Sequence, residues 1–345
     1  MIVKRIKKLY GIDPRSWEHP ADTAALSALK QLKGLDELVK VLVSVTTERS
    51  LKLMVLASCV KVSPTQYPRL NNLLENVVDT FDWDYKPELF ISQSPFLNAG
   101  VLGVKEPFII VNSALVRSFD EGETTAILAH EMGHIMSGHA LYKTLIFMLA
   151  NVSLSFIPVG ELVLAAIKAA LAEWSRKSEL TADRAEILAV QNEKPSYDIL
   201  MRMAGAEDLS QVNLNDFFAQ AREYEDHKSL LDSVHKLLNT VWLSHPYPVE
   251  RLQELRSWAA SGYYQSILDG NYLKRGLAGE DPKEDMRAGF EYYRSAMRES
   301  DDPLSNFATV VGDGIEKTVS EIGEGLEKAA AGLGDRLKDF LKPKE

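Results

Sequence analysis

Two imidazoles four residues apart, with a carboxylate beside the first, can hold a metal ion and take a proton from the water it binds; His130-Glu131-Met132-Gly133-His134 supplies that set. On a helix of about 3.6 residues per turn, positions i and i+4 share a face, so both rings can reach one ion while Glu131 projects next to its water. Zinc is the ion such a set predicts. It supplies a Lewis acid and a more acidic water, and Glu131 is the candidate base that takes the proton and later delivers it to a leaving amine.

A five-residue pattern can arise by chance, so its flanks matter. Thr124, Ala126, Ile127, Leu128 and Ala129 form an apolar approach, and Ser118 followed by Glu121 resembles a capping box that opens the helix. Gly133 inside a helix costs roughly 1 kcal/mol relative to Ala, which points to close packing or substrate access at that position.

Two histidines leave a catalytic zinc one protein ligand short. His139 lies about 140° round a continuing helix from His134 and about 180° from His130, so it is expected to face away in a structural role. Glu179-Leu180-Thr181-Ala182-Asp183 places two acids on one helical face. One can bind the metal while the other holds a ligand histidine's distal N–H and fixes its tautomer. A solvated acidic face is the alternative, since Glu161, Glu173 and Glu186 lie nearby.

These groups need a scaffold. Over 22–60, Leu26, Leu29, Leu32 and Leu35, then Leu38, Val39, Leu42 and Val43, predict a helical layer. A further helix is expected over 67–81, then short strands over 88–92 and 108–112 separated by a loop containing Asn98-Ala99-Gly100 and Gly103. The stretches 145–159 and 162–172 are strongly apolar. The first is about 15 residues against the roughly 20 a spanning helix needs, and Asn151, Ser153, Ser155, Pro158 and Glu161 interrupt the region. A buried hairpin is predicted, with an interfacial surface as the alternative.

At 345 residues the chain can bury a substantial core, and its net charge of −10 counts against a nucleic-acid partner. Cys59 is the only cysteine, which excludes an intramolecular disulfide and a multi-thiolate zinc site; it reads as a small buried residue. The basic start of the chain turns polar before any apolar segment of about 7–15 residues, so no signal peptide is expected and a cytoplasmic setting is predicted.

The motif at 130–134, taken with Ser175-Arg176-Lys177-Ser178-Glu179-Leu180-Thr181-Ala182-Asp183, resembles the paired signature of HtpX-type zinc endopeptidases, relatives of the CAAX prenyl proteases within the gluzincins. The resemblance implies a zincin-like α+β fold, predominantly helical, with a small sheet beside the active-site helix. It implies one Zn2+ held by His130, His134 and Glu179, with Glu131 as base and Asp183 supporting a ligand from behind. Asn98-Ala99 and the strand over 108–112 are similar to the family's segment in which an edge strand pairs with an extended substrate; such backbone pairing suits unfolded or misfolded polypeptides. His245-Pro246-Tyr247-Pro248 with Arg251 looks like the final signature element, implying that His245 stabilises an oxyanion or, as in some relatives, approaches the metal at rest. A helix cap near Pro248 is its plain alternative.

The resemblance covers roughly 67–258 and departs from the family in lacking clear membrane spans. The chain is expected to divide into an N-terminal helical segment over 1–62, a metallopeptidase domain over 63–260, a helical extension over 261–302 and an amphipathic tail over 303–345. In that tail Val311-Gly312-Asp313-Gly314-Ile315, Ile322-Gly323-Glu324-Gly325-Leu326 and Leu333-Gly334-Asp335-Arg336-Leu337 repeat every eleven residues. The basic, amphipathic N-terminus, residues 145–172 and this tail are the candidates for peripheral membrane contact. A chaperone-like or scaffolding protein with a silent metal site is the competing function.

Overall fold

The computed structural model describes residues 6–32, 34–45, 48–151, 161–226 and 247–276. Its sheet has the order β1-β2-β4-β3, from β1 (Val60–Lys61), β2 (Leu89–Ser92), β3 (Ala99–Leu102) and β4 (Phe108–Asn112). β2 and β4 run parallel with Leu89 opposite Ile109, whereas β1 is antiparallel to β2, and β3 to β4 with Gly100 opposite Ile110.

Alternation along the strands gives the sheet two apolar faces. Leu89, Ile91, Val101, Ile109 and Val111 join Leu74, Val77, Leu128 and Met132 in the main core. Phe90, Leu102 and Phe108 turn the other way and pack against Leu51 and Val55 of the helix Glu48–Ser58. Two expectations are corrected here. The segment containing Asn98-Ala99-Gly100 was expected as a loop, but from Ala99 it is β3; the strand over 108–112 is interior, so β3 is the edge. The predicted helical run over 22–60 divides into Pro20–Lys30, Leu35–Val45 and Glu48–Ser58 before the chain enters β1. Cys59, expected to be buried, is half-buried.

The motif helix, Glu121–Met136, opens with a capping box, but not the expected one. Asp120 Oδ1 accepts from the Glu123 amide at 2.8 Å and Glu123 Oε2 accepts from the Asp120 amide at 2.9 Å. Ser118 instead ends the short helix Ser113–Ser118. At the other end the helix stops at Met136, and Gly138, at φ +71°, turns the chain into the next helix, Ala140–Asn151.

The long helix Glu161–Val190 lies alongside the motif helix. The apolar stretch expected as a hairpin is built into the protein where it is described. Tyr142, Leu145, Ile167, Leu171 and Trp174 close a second core with Leu29, Leu35 and Leu38 from the N-terminal helices. Residues 152–160, including Pro158, lie outside the described residues. Among the described residues no helix is long and apolar enough to cross a membrane.

The helices Pro248–Ala260 and Tyr263–Leu268 complete the main core through Leu252, Leu255, Ile267 and Leu268. The same core contains Leu9, Ile12 and Trp17, and Ile12 bridges to Lys274.

Candidate metal centre

His130 and His134 leave the motif helix one turn apart and meet Glu179 from the long helix. His130 Nε2 lies 3.3 Å from Glu179 Oε2, and His134 Nε2 lies 3.3 Å from Glu179 Oε1. The three potential ligand atoms are all within 4.8 Å of one another, and the residues are 0–3 % exposed. Glu131, on the same turn as His130, is buried too.

Behind His130, Nδ1 lies 3.1 Å from Asp183 Oδ1 and 3.3 Å from Glu186 Oε2. Arg251 clamps Asp183 with two parallel N–H donors, Nε reaching Oδ2 at 2.9 Å and Nη2 reaching Oδ1. Lys143 Nζ donates to Glu179 Oε1. Behind His134, Nδ1 is 3.0 Å from His139 Nδ1, and His139 Nε2 is 3.1 Å from Asp22 Oδ2. His139 therefore faces the candidate site rather than away from it. The expected angle assumed a continuing helix, and the turn at Gly138 swings His139 back.

These groups suit a divalent cation. Among the described residues, the carboxylates of Glu131, Glu179, Asp183 and Glu186 gather in this region with the cations Lys143 and Arg251. Two imidazoles and a carboxylate, all buried, are a donor set that zinc accepts.

The protonation tendencies agree. Burial holds His134 well below its ordinary pKa, helped by the Lys143 ammonium, and leaves a lone pair for a metal. Burial also opposes charge on His130, but Asp183, Glu179 and Glu186 outweigh it and raise its pKa, so this imidazole sits where positive charge is favoured. Burial pushes Asp183 up, yet Arg251 holds its carboxyl below the usual range.

The other expected site residues are placed less closely. Ala99 begins the edge strand β3 opposite Val111, and the Asn98 carbonyl accepts from the Asn112 amide at 2.9 Å. His245, the tail repeats and the first five residues lie outside the described residues. Glu186, at the candidate site, looked in sequence like part of a solvated face. Its spacing of three from Asp183 and seven from Glu179 puts it on their stripe, but spacing does not tell which face is inward. Asp22 had no local signal.

A family model described as peptidase family M48 matches residues 64–259. The Plastoglobule-localized metallopeptidase 48, chloroplastic, of Arabidopsis thaliana is 32 % identical over 262 residues, covering 74 % of this chain and 76 % of the relative. A Protease HtpX homolog of Helicobacter pylori strain J99 is 22 % identical over 222 residues, covering 57 % of this chain and 68 % of its own. The chain belongs to peptidase family M48. It is thus a metal-dependent hydrolase of peptide bonds with a zincin-like fold, and its substrates are polypeptides.

Proposed function

We propose that this chain is a zinc endopeptidase, with His130, His134 and Glu179 holding one zinc and Glu131 acting as general base on unfolded or misfolded polypeptide. The observation that carries this is the convergence of two imidazoles and one carboxylate, all buried and from two helices, with their ligand atoms within 4.8 Å of one another. A zinc ion bound there supplies a Lewis acid and lowers the pKa of its water.

The chain's own residues do the rest. Glu131 takes a proton from the attacking water and returns it to the leaving amine. Asp183 holds His130 through Nδ1 while Arg251 keeps that carboxylate in place. β3, an edge of the sheet, offers backbone groups from Ala99 onward to an extended peptide, with Asn98 at its start. His245 is assigned to the oxyanion on sequence resemblance alone.

Glu131→Gln tests the proposal. The variant should fold and bind about one zinc per chain, while cleavage of an unfolded protein falls by about 10²–10⁴-fold. Full activity in Glu131→Gln, or a wild-type protein that binds no zinc, overturns the assignment. A cytoplasmic setting is part of the same proposal, and peripheral attachment is read by flotation with anionic liposomes.

A further inference from the structure

We infer that Asp22, acting through His139, fixes the tautomer in which His134 turns the lone pair of Nε2 toward the metal. This rests on the proposed ligand set. It goes beyond that set by making a residue outside the family-matched segment 64–259 part of the metal centre.

The direction of each hydrogen bond follows from groups that can only donate. The Trp174 indole N–H donates to Asp22 Oδ1 at 2.9 Å. The His19 amide donates to Thr181 Oγ1 at 2.9 Å, so the Thr181 hydroxyl sends its own proton on to Asp22 Oδ2, 2.6 Å away. Asp22 is therefore an acceptor at both oxygens. His139 Nε2, 3.1 Å from Asp22 Oδ2, must carry a hydrogen.

A neutral His139 then has a bare Nδ1, which faces His134 Nδ1 at 3.0 Å. The hydrogen between them belongs to His134 Nδ1, and His134 Nε2 keeps its lone pair on the side of Glu179. The reverse assignment sets two lone pairs against each other at Asp22 and puts a hydrogen on the nitrogen that should bind metal. With the hydrogen on His134 Nδ1 instead, the Nε2 lone pair is set beside Glu179 Oε1, where a bound cation would lie between them. Asp22, Trp174, Thr181 and His139 are each at most 2 % exposed, so water does not offer the chain of bonds an easy alternative. His139 is also held by the Trp174 ring, with centroids 5.4 Å apart and planes at 86°.

Asp22 and His139 are thus positioning residues, and nitrogen NMR of the full-length protein tests them. Imidazole 15N–1H correlation should show His134 protonated at Nδ1 and His139 at Nε2, with and without zinc. A metal-free protein with His134 protonated at Nε2, or with His139 protonated at Nδ1, overturns the inference. The second measurement is zinc affinity by chelator competition in Asp22→Asn, which should be 10–100-fold weaker, with partial recovery in Asp22→Glu. Unchanged affinity in a folded Asp22→Asn overturns it as well. A wild type that binds no zinc defeats the ligand set instead, and the metal-free tautomers still decide the part played by Asp22.

Discussion

Gly133 of the motif helix and Ala185 of the long helix are so close that a Cβ on residue 133 would lie 2.7 Å from the Ala185 Cβ and 3.3 Å from the Ala182 Cα. The glycine sits beside His134, and the contact sets the distance between the helix bearing the two histidines and the helix bearing Glu179. Gly133→Ala gains about 1 kcal/mol of helix propensity, but overpacking costs about 1–3 kcal/mol. The variant should melt at lower urea than wild type and bind zinc more weakly. Adding Ala185→Gly should restore much of the zinc affinity; a double variant no better than Gly133→Ala would show that this contact is not what separates the helices.

The Arg251 clamp on Asp183 makes a second prediction. Arg251→Met removes the cation but leaves three buried carboxylates near His130, and breaking a buried pair in this way costs about 3–5 kcal/mol. Arg251→Lys should recover little, because one ammonium cannot reproduce two parallel donors. Chemical denaturation of the metal-free variants measures both; a loss below about 1 kcal/mol for Arg251→Met contradicts the burial argument.

The capping box at Asp120 separates two substitutions that look alike in sequence. Asp120→Ala should cost about 1 kcal/mol, whereas Ser118→Ala should stay within about 0.5 kcal/mol of wild type. Equilibrium unfolding of the pair decides which residue opens the motif helix.

His19 predicts a loss of stability on mild acidification. Its Nδ1 accepts from the Ala21 amide at 3.1 Å and caps the helix Pro20–Lys30, while Nε2 lies 3.4 Å from Glu254. Burial, reinforced by Arg184, holds its pKa below the ordinary 6.5. Because the folded value is the depressed one, the stability His19 contributes is complete above about pH 6.5 and is lost as pH falls toward the folded pKa. Protonation also removes the acceptor that makes the cap. His19→Asn keeps a capping side chain without a titrating ring, so its stability should fall less than wild type between about pH 7 and pH 5; parallel slopes would exclude His19 as the cause.

Metal removal should act on folding as well as on catalysis. With free zinc at about 100 times its dissociation constant, linkage gives roughly 2.7 kcal/mol of extra stability. Chelation should therefore lower the melting midpoint of wild type but change His134→Ala much less. Calorimetry with and without chelator makes the comparison.

Local chemistry made part of this architecture legible before any coordinates. The helix with the two histidines, the later helix with Glu179 and Asp183, and strands close to 88–92 and 108–112 follow from period and punctuation. The contacts between elements do not. Asp120 rather than Ser118 caps the helix because Ser118 closes the preceding turn, which the spacing of Ser and Glu cannot show. His139 meets His134 only because the chain reverses at Gly138. Asp22 reaches His139 through packing between distant segments, and no local pattern announces such a contact. His245, whose role depends most on position, lies among residues whose structure is not described.

The span of the chain drawn into this centre has a consequence for biosynthesis. Asp22 bonds to Thr181 across 159 residues of sequence, and Arg251 bonds to Asp183 across a further 68. Contacts so distant cannot form until their second partner leaves the ribosome, and closing them late slows the final step of folding. The His-Glu-X-X-His segment is synthesised well before the charges that surround it can be balanced. The motif helix therefore gains its full set of buried partners only after Arg251 has been synthesised.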